Sequence, residues 1–147
     1  MIIKILLFIW QWTWGLIQNL FGLIIVICLR KKSLDTFHGA VIVEYQEAQF
    51  IKPWGTFTLG MFIFYELVAN ERDPHLLAHE YGHTIQSLIY GPLYLPIVGV
   101  FSLSWARKYW KNKKAYNQEN IFYADRYPEK QANYWGKKIL GIEGISE

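Results

Sequence analysis

Residues 2 to 29, IIKILLFIWQWTWGLIQNLFGLIIVICL, carry a single charged side chain, Lys4, and no other stretch restricts the possible folds so strongly. At about 1.5 Å per helical residue the run is long enough to cross a hydrocarbon core of roughly 30 Å. Arg30, Lys31 and Lys32 follow directly, the basic stop expected on the cytoplasmic side. A cleaved signal peptide would have a shorter apolar core and small residues at its cleavage site, and neither is visible. Cys28, between Ile27 and Leu29, lacks the small neighbours of a lipid-attachment site. The sequence therefore predicts a membrane anchor helix over 1–32 and one small domain over 33–147. Gln11, Gly15, Gln18 and Gly22 recur at i, i+4, i+7 and i+11, a polar or small stripe expected to face protein while the other faces meet lipid.

Charge adds to this picture through its distribution. The net charge is only +3, but basic residues cluster at 30–32 and again in RKYWKNKK, 107–114, each directly after an apolar run. Nucleic acid binding would use such patches, with Tyr109 and Trp110 stacking on bases. Basic and aromatic residues bordering apolar segments are more simply membrane-interface anchors, so membrane lipid is an expected partner and nucleic acid is not. A single cysteine excludes an internal disulfide and any CxxC zinc site.

Further along, TFHGAVIVEYQEAQFI and GTFTLGMFIFYELV are rich in β-branched and aromatic residues, with KPWG between them as turn chemistry. They predict a β-hairpin. Asp73-Pro74 opens a helix, an acceptor at the N-cap followed by a proline at N1, and Gly91-Pro92 ends it near Tyr90. The apolar segment 92–106, PLYLPIVGVFSLSWA, is short for a span and reads as re-entrant or interfacial. The stretch 111–120 reads as a loop, and Pro128 opens a last helix, PEKQANYWGKKIL, closed by Gly141. The expected class is a small α+β protein.

The predicted helix from Pro74 contains His79-Glu80-Tyr81-Gly82-His83. His79 and His83 lie one turn apart on one face, so two imidazoles can meet one metal ion. Glu80, next to the first ligand, can act as general base without being a ligand. A zinc ion held there would lower the pKa of a water towards 7 and polarise a scissile carbonyl, and Glu80 would take the proton and later give it to the leaving amine. Gly82 would keep the helix surface low where substrate approaches. Leu76, Leu77, Ile85, Leu88 and Ile89 supply a core face. A catalytic zinc also needs a third ligand. The downstream acidic residues are Glu119, Asp125, Glu129, Glu143 and Glu147. Glu129 stands out because it begins a helix, has Asn133 one turn later, and has Ala132 and Gly136 keeping its surroundings small.

At HEYGH and EKQAN the chain resembles gluzincin metalloproteases, the class that includes thermolysin. These pair an HExxH helix with a second helix bearing ExxxD. More closely, HEYGHTIQSLIYGPLYLPIVG and YPEKQANYWG resemble a group of small, uncharacterised bacterial membrane-associated proteins with HEYGH and a later EKxAD. The likeness covers about half the chain. It implies that His79, His83 and Glu129 bind Zn2+, that Glu80 is the general base, and that residue 133 supports a ligand histidine. This chain has Asn133 where the pattern has Asp; Asn accepts an imidazole N–H but brings no charge to raise the ligand's basicity.

The expected function is a membrane-associated zinc peptidase acting on a peptide or protein substrate, in the bacterial inner membrane with its site near the cytoplasmic face. The strand TFTLGMFIF is the candidate edge for taking up extended substrate. Tyr123, Arg126, Tyr127 and His75 are eligible oxyanion donors, His75 being alternatively a helix N-terminal residue; His38 has no evident partner, and Gln86 is expected near the site. The alternatives are a membrane protein with a structural or non-catalytic zinc site, and a basic-patch module for lipid or nucleic acid, which would show steep salt dependence.

Overall fold

The computed structural model describes residues 2–46, 51, 54–67 and 71–146. Lys52 and Pro53 of the expected turn, and Glu147, lie outside the described residues. The chain is α+β. It runs through α1 (Ile2–Thr13), α2 (Leu16–Cys28), β1 (Lys31–Phe37), β2 (Ala40–Tyr45), β3 (Phe57–Leu59), β4 (Phe62–Glu66), α3 (Pro74–Tyr90), α4 (Val100–Lys111), α5 (Lys113–Gln118) and α6 (Glu129–Leu140).

The four strands form one sheet in the order β1-β2-β4-β3. The two apolar runs do not form one hairpin with each other: β2 and β4 pair in parallel, Val41 beside Phe62 through Tyr45 beside Glu66. Each run instead closes a hairpin of its own, β1 with β2 and β3 with β4. The first turns at His38 and Gly39, whose φ angles of 48° and 88° are the doubly left-handed pair that tight two-residue hairpins use. Helix α2 covers one face of the sheet and α3 the other, so the apolar residues of the central strands are buried on both faces, which explains runs such as AVIV and FIFY that do not alternate. On one face Val43, Phe62 and Phe64 pack against Val26 and Leu29. On the other, Ala40, Ile42, Ile63 and Tyr65 pack against Leu77 and Tyr81 of α3.

The one anchor helix expected over 1–32 is two helices, with axes 94° apart between Ile5–Thr13 and Leu16–Cys28, and Lys31 and Lys32 already belong to β1. Among the described residues no single helix is long and apolar enough to cross a membrane; the bent pair satisfies that test only when its halves are taken together. The polar stripe accounts for the bend. Gln11, Gly15, Gln18 and Gly22 are buried against protein, and Asn19 joins them. Amides in an apolar run need partners. Asn19 donates to the Gln11 carbonyl at 2.7 Å and accepts from the Met61 N–H at 2.8 Å. Gln18 donates to Ser87 Oγ at 2.9 Å and to the Gly91 carbonyl at 3.0 Å. Turning at Trp14-Gly15 lets all of these bonds form.

Helix α3 begins where Asp73 accepts from the His75 N–H at 2.8 Å and the Leu76 N–H at 3.4 Å, and ends at Gly91 with φ 53°. Tyr65 of β4 receives the Asp73 N–H at 2.6 Å, so the sheet sets where the helix starts. The helix is less one-sided than its apolar pattern suggests. Residues from Leu77 to Thr84 are all buried, polar ones included, while Ile89 is exposed. The stretch expected to be a loop, 111–120, is mostly α5, because it contains neither glycine nor proline, and Tyr116 stacks on Tyr109. Segment 92–106 is helical in three modes: a 3-10 turn at Gly91–Leu93, a π turn at Leu95–Gly99, then α4. Helix α6 ends at Gly141 in the left-handed conformation, φ 70°.

Candidate metal centre

Helices α3 and α6 cross with their backbones in close contact. A Cβ on Gly82 would fall 1.9 Å from the Ala132 carbonyl oxygen, and one on Gly136 would fall 2.1 Å from that of Ala78. Gly82 therefore faces the partner helix, and its role is helix contact rather than the substrate clearance expected of it. Ala132 and Gly136 keep the α6 side equally low.

This crossing brings three candidate ligands together. Glu129 Oε2 lies 3.1 Å from His79 Nε2 and 3.2 Å from His83 Nε2. The ligating atoms of the three all lie within 4.8 Å of one another, and the two imidazole rings stand edge to face at 88°. His79 is 2% exposed, His83 6% and Glu129 0%. Three buried polar groups converging on one point are the informative exception in a protein interior.

The other ring nitrogens are engaged by neutral amides. His79 Nδ1 lies 2.8 Å from Asn133 Oδ1 and His83 Nδ1 lies 2.7 Å from Gln86 Oε1. Gln86 Nε2 donates to the Pro128 carbonyl and to Gln131 Oε1, both at 2.9 Å, so its oxygen must be the end that faces His83. Both imidazoles thus donate from Nδ1 and turn Nε2 towards Glu129, the orientation a metal ligand needs once Nε2 carries no proton. Glu129 Oε1 is buried without a hydrogen-bond partner. Two Nε2 lone pairs, an anionic carboxylate with an orphaned oxygen, and amide-locked Nδ1 protons fit a divalent cation such as zinc.

Ionisation in the metal-free chain follows from the same geometry. Burial pushes the His83 imidazole down, but the Glu129 carboxylate, by charge and hydrogen bond, with Glu80 and Gln86, raises it to about 9. Burial pushes Glu129 up, and the two histidines hold it well below the usual carboxylate range. The linkage signs follow. The His83 contribution is complete below its ordinary 6.5 and is lost as pH rises through about 9. The Glu129 contribution is present above its ordinary 4.5 and is lost in acid. Metal-free protein should therefore melt highest between pH 4.5 and 6.5 and lose stability towards pH 9. Melting curves that rise over pH 6.5–9 would contradict the pair.

Glu80 is buried beside the cluster, its Oε2 accepting the Thr58 hydroxyl at 2.7 Å. Thr58 belongs to β3, an edge strand of the sheet; TFTLGMFIF, expected to be one edge strand, is instead the β3–β4 hairpin, and β4, the strand before α3, lies inside the sheet between β2 and β3. That edge is not open at Thr58, whose carbonyl accepts the Tyr94 hydroxyl at 3.2 Å. Thr58, Tyr94 and Gln131 carry no motif, and only contact across the fold reveals them. Of the four eligible oxyanion donors, Tyr123 alone turns to the cluster. Burial, then the Glu129 charge, pushes its pKa up, keeping it a donor. Tyr127 donates to the Ile97 carbonyl at 3.3 Å, Arg126 stacks 4.7 Å over Trp105, and His75 Nδ1 lies 2.9 Å from the Glu143 carbonyl. His38, given no partner above, accepts at its carbonyl from Tyr81 at 3.1 Å. Asp125 accepts from the Phe122 N–H and caps its own turn, and Glu143 pairs with Lys137. In the basic-aromatic segment Lys113 sits 4.8 Å over Trp110, and Trp110 stacks on Tyr123, so those faces are already occupied. Compared with protein-family models, curated proteins and solved structures, the chain finds no match.

Proposed function

We propose that the protein is a membrane-associated, zinc-dependent peptidase. The observation that carries the reading is the convergence of His79, His83 and Glu129 with a buried carboxylate, Glu80, beside them. A zinc ion held by His79 Nε2, His83 Nε2 and Glu129 would supply Lewis acidity towards a water and a substrate carbonyl. Glu80, its Oε2 anchored by Thr58, takes the proton of the attacking water on Oε1 and passes it to the leaving amine. Tyr123 offers a hydroxyl to the carbonyl oxygen as charge builds there.

The membrane part rests on exposure and length. Leu6, Phe8 and Trp10 on α1 and Phe21, Ile24 and Ile27 on α2 are exposed. At about 1.5 Å per residue neither helix reaches across roughly 30 Å of hydrocarbon, and the pair lies in one leaflet as a bent wedge. Arg30, Lys31 and Lys32 then meet anionic headgroups on the cytoplasmic face. A second reading, a zinc site that is structural or no longer catalytic, is favoured by the near-complete burial of all four site residues.

Glu80→Gln distinguishes the two. The variant should keep its zinc while cleavage of a fluorescence-quenched peptide library, measured in membrane vesicles, drops by about 10²–10⁴-fold. Zinc retained with no cleavage by the unmutated protein either leaves the structural reading standing. Protein released from vesicles by alkaline carbonate, without detergent, would reject the wedge.

A further inference from the structure

We infer that the C-terminal tail, residues 142–146, is a positioning element for His79, acting through Asn133. The inference rests on the zinc reading of the site. After Gly141 the chain turns back along α6, where Glu143 pairs with Lys137 and its carbonyl meets His75. The backbone at Gly144 then lies against Asn133 so closely that a Cβ there would fall 1.9 Å from Oδ1. One residue later the Ile145 carbonyl accepts from Asn133 Nδ2 at 2.7 Å.

An amide side chain has one donating end and one accepting end, and a backbone carbonyl only accepts. Ile145 therefore dictates that Nδ2 faces the tail and Oδ1 faces His79, at 2.8 Å from its Nδ1. Rotated the other way, the amide would present Nδ2 to Nδ1 and hold the proton of His79 on Nε2, the atom that must be free for a cation. The tail thus selects the ligand tautomer from two bonds away. The same geometry accounts for Asn at position 133. A carboxylate accepts at both oxygens, and one of them would face the Ile145 carbonyl. Asn133 is the residue the tail requires.

The test is zinc affinity, by chelator competition, in four chains: full length, a chain ending at Gly141, and Asn133→Asp in each, with circular dichroism verifying the fold. Truncation should weaken zinc binding about ten-fold or more, the range of lost support to a ligand histidine. Asn133→Asp should weaken it in the full chain and restore it in the shortened one, where the aspartate accepts from His79 with no carbonyl opposing it. Gly144→Ala, whose methyl would fall 1.9 Å from Asn133 Oδ1 and so part the amide from the tail without shortening the chain, should match the truncation. A tail that only stabilises the fold predicts the same Asn133→Asp effect in both backgrounds, and that result, or affinity indifferent to truncation, overturns the inference. A full-length chain that binds no zinc rejects the metal site itself and the inference with it.

Discussion

Replacing Gly82 with alanine should cost about 3 kcal/mol or more of stability and abolish the three-ligand cluster together with it. The added methyl would fall 1.9 Å from the Ala132 carbonyl oxygen, and backbone on a packed helix cannot swing aside as a side-chain tip can. The only relief is separation of α3 from α6. His79 and His83 ride on one of these helices and Glu129 on the other, held at 3.1 and 3.2 Å, so any separation opens the gap between the ligands themselves. Chemical denaturation and zinc stoichiometry measure the two halves of this expectation. A variant with unchanged midpoint and full zinc content would mean that the helices do not cross so closely.

Glu129→Gln should leave the fold largely intact and weaken zinc by at least about a hundred-fold, roughly 3 kcal/mol of a ligand's share. The amide is nearly isosteric with the carboxylate but brings no charge and offers one accepting oxygen in place of two. It also removes what raises His83, so the decline in metal-free stability towards pH 9 should disappear in the same variant. Zinc retained by Glu129→Gln at unmutated affinity would exclude Glu129 as the third ligand.

Helix α3 could be read from its ends, because Asp73, Pro74 and Gly91 are local signals whose physics needs nothing from elsewhere in the chain. The same was true of α6 between Pro128 and Gly141. His79, Glu80 and His83 were readable because one helical turn defines their spacing. The parallel pairing of β2 with β4 was not, since two apolar runs look alike whichever way they lie, and a turn at His38-Gly39 is weaker to the eye than KPWG. The bend at Trp14-Gly15 escaped for a related reason. Hydropathy reports that a segment avoids water, but not that Gln18 and Asn19 have bonds to reach in Ser87, Gly91 and Met61. Gly82 was singled out for the right smallness and the wrong neighbour, because which face of a helix another helix occupies is decided by the rest of the fold.

Gln18 reaches Ser87 and Gly91, which stand at the far end of the same helix that carries His79 and His83. An enzyme hung on a flexible linker sweeps a wide volume and turns freely within it. Here the apolar pair and the helix that carries His79 and His83 are bolted together by buried amides, with no tether between them. Whatever medium holds α1 and α2 therefore also sets the height and tilt of the His79, His83 and Glu129 cluster, and under the proposed reading a peptide substrate must come to that one fixed position.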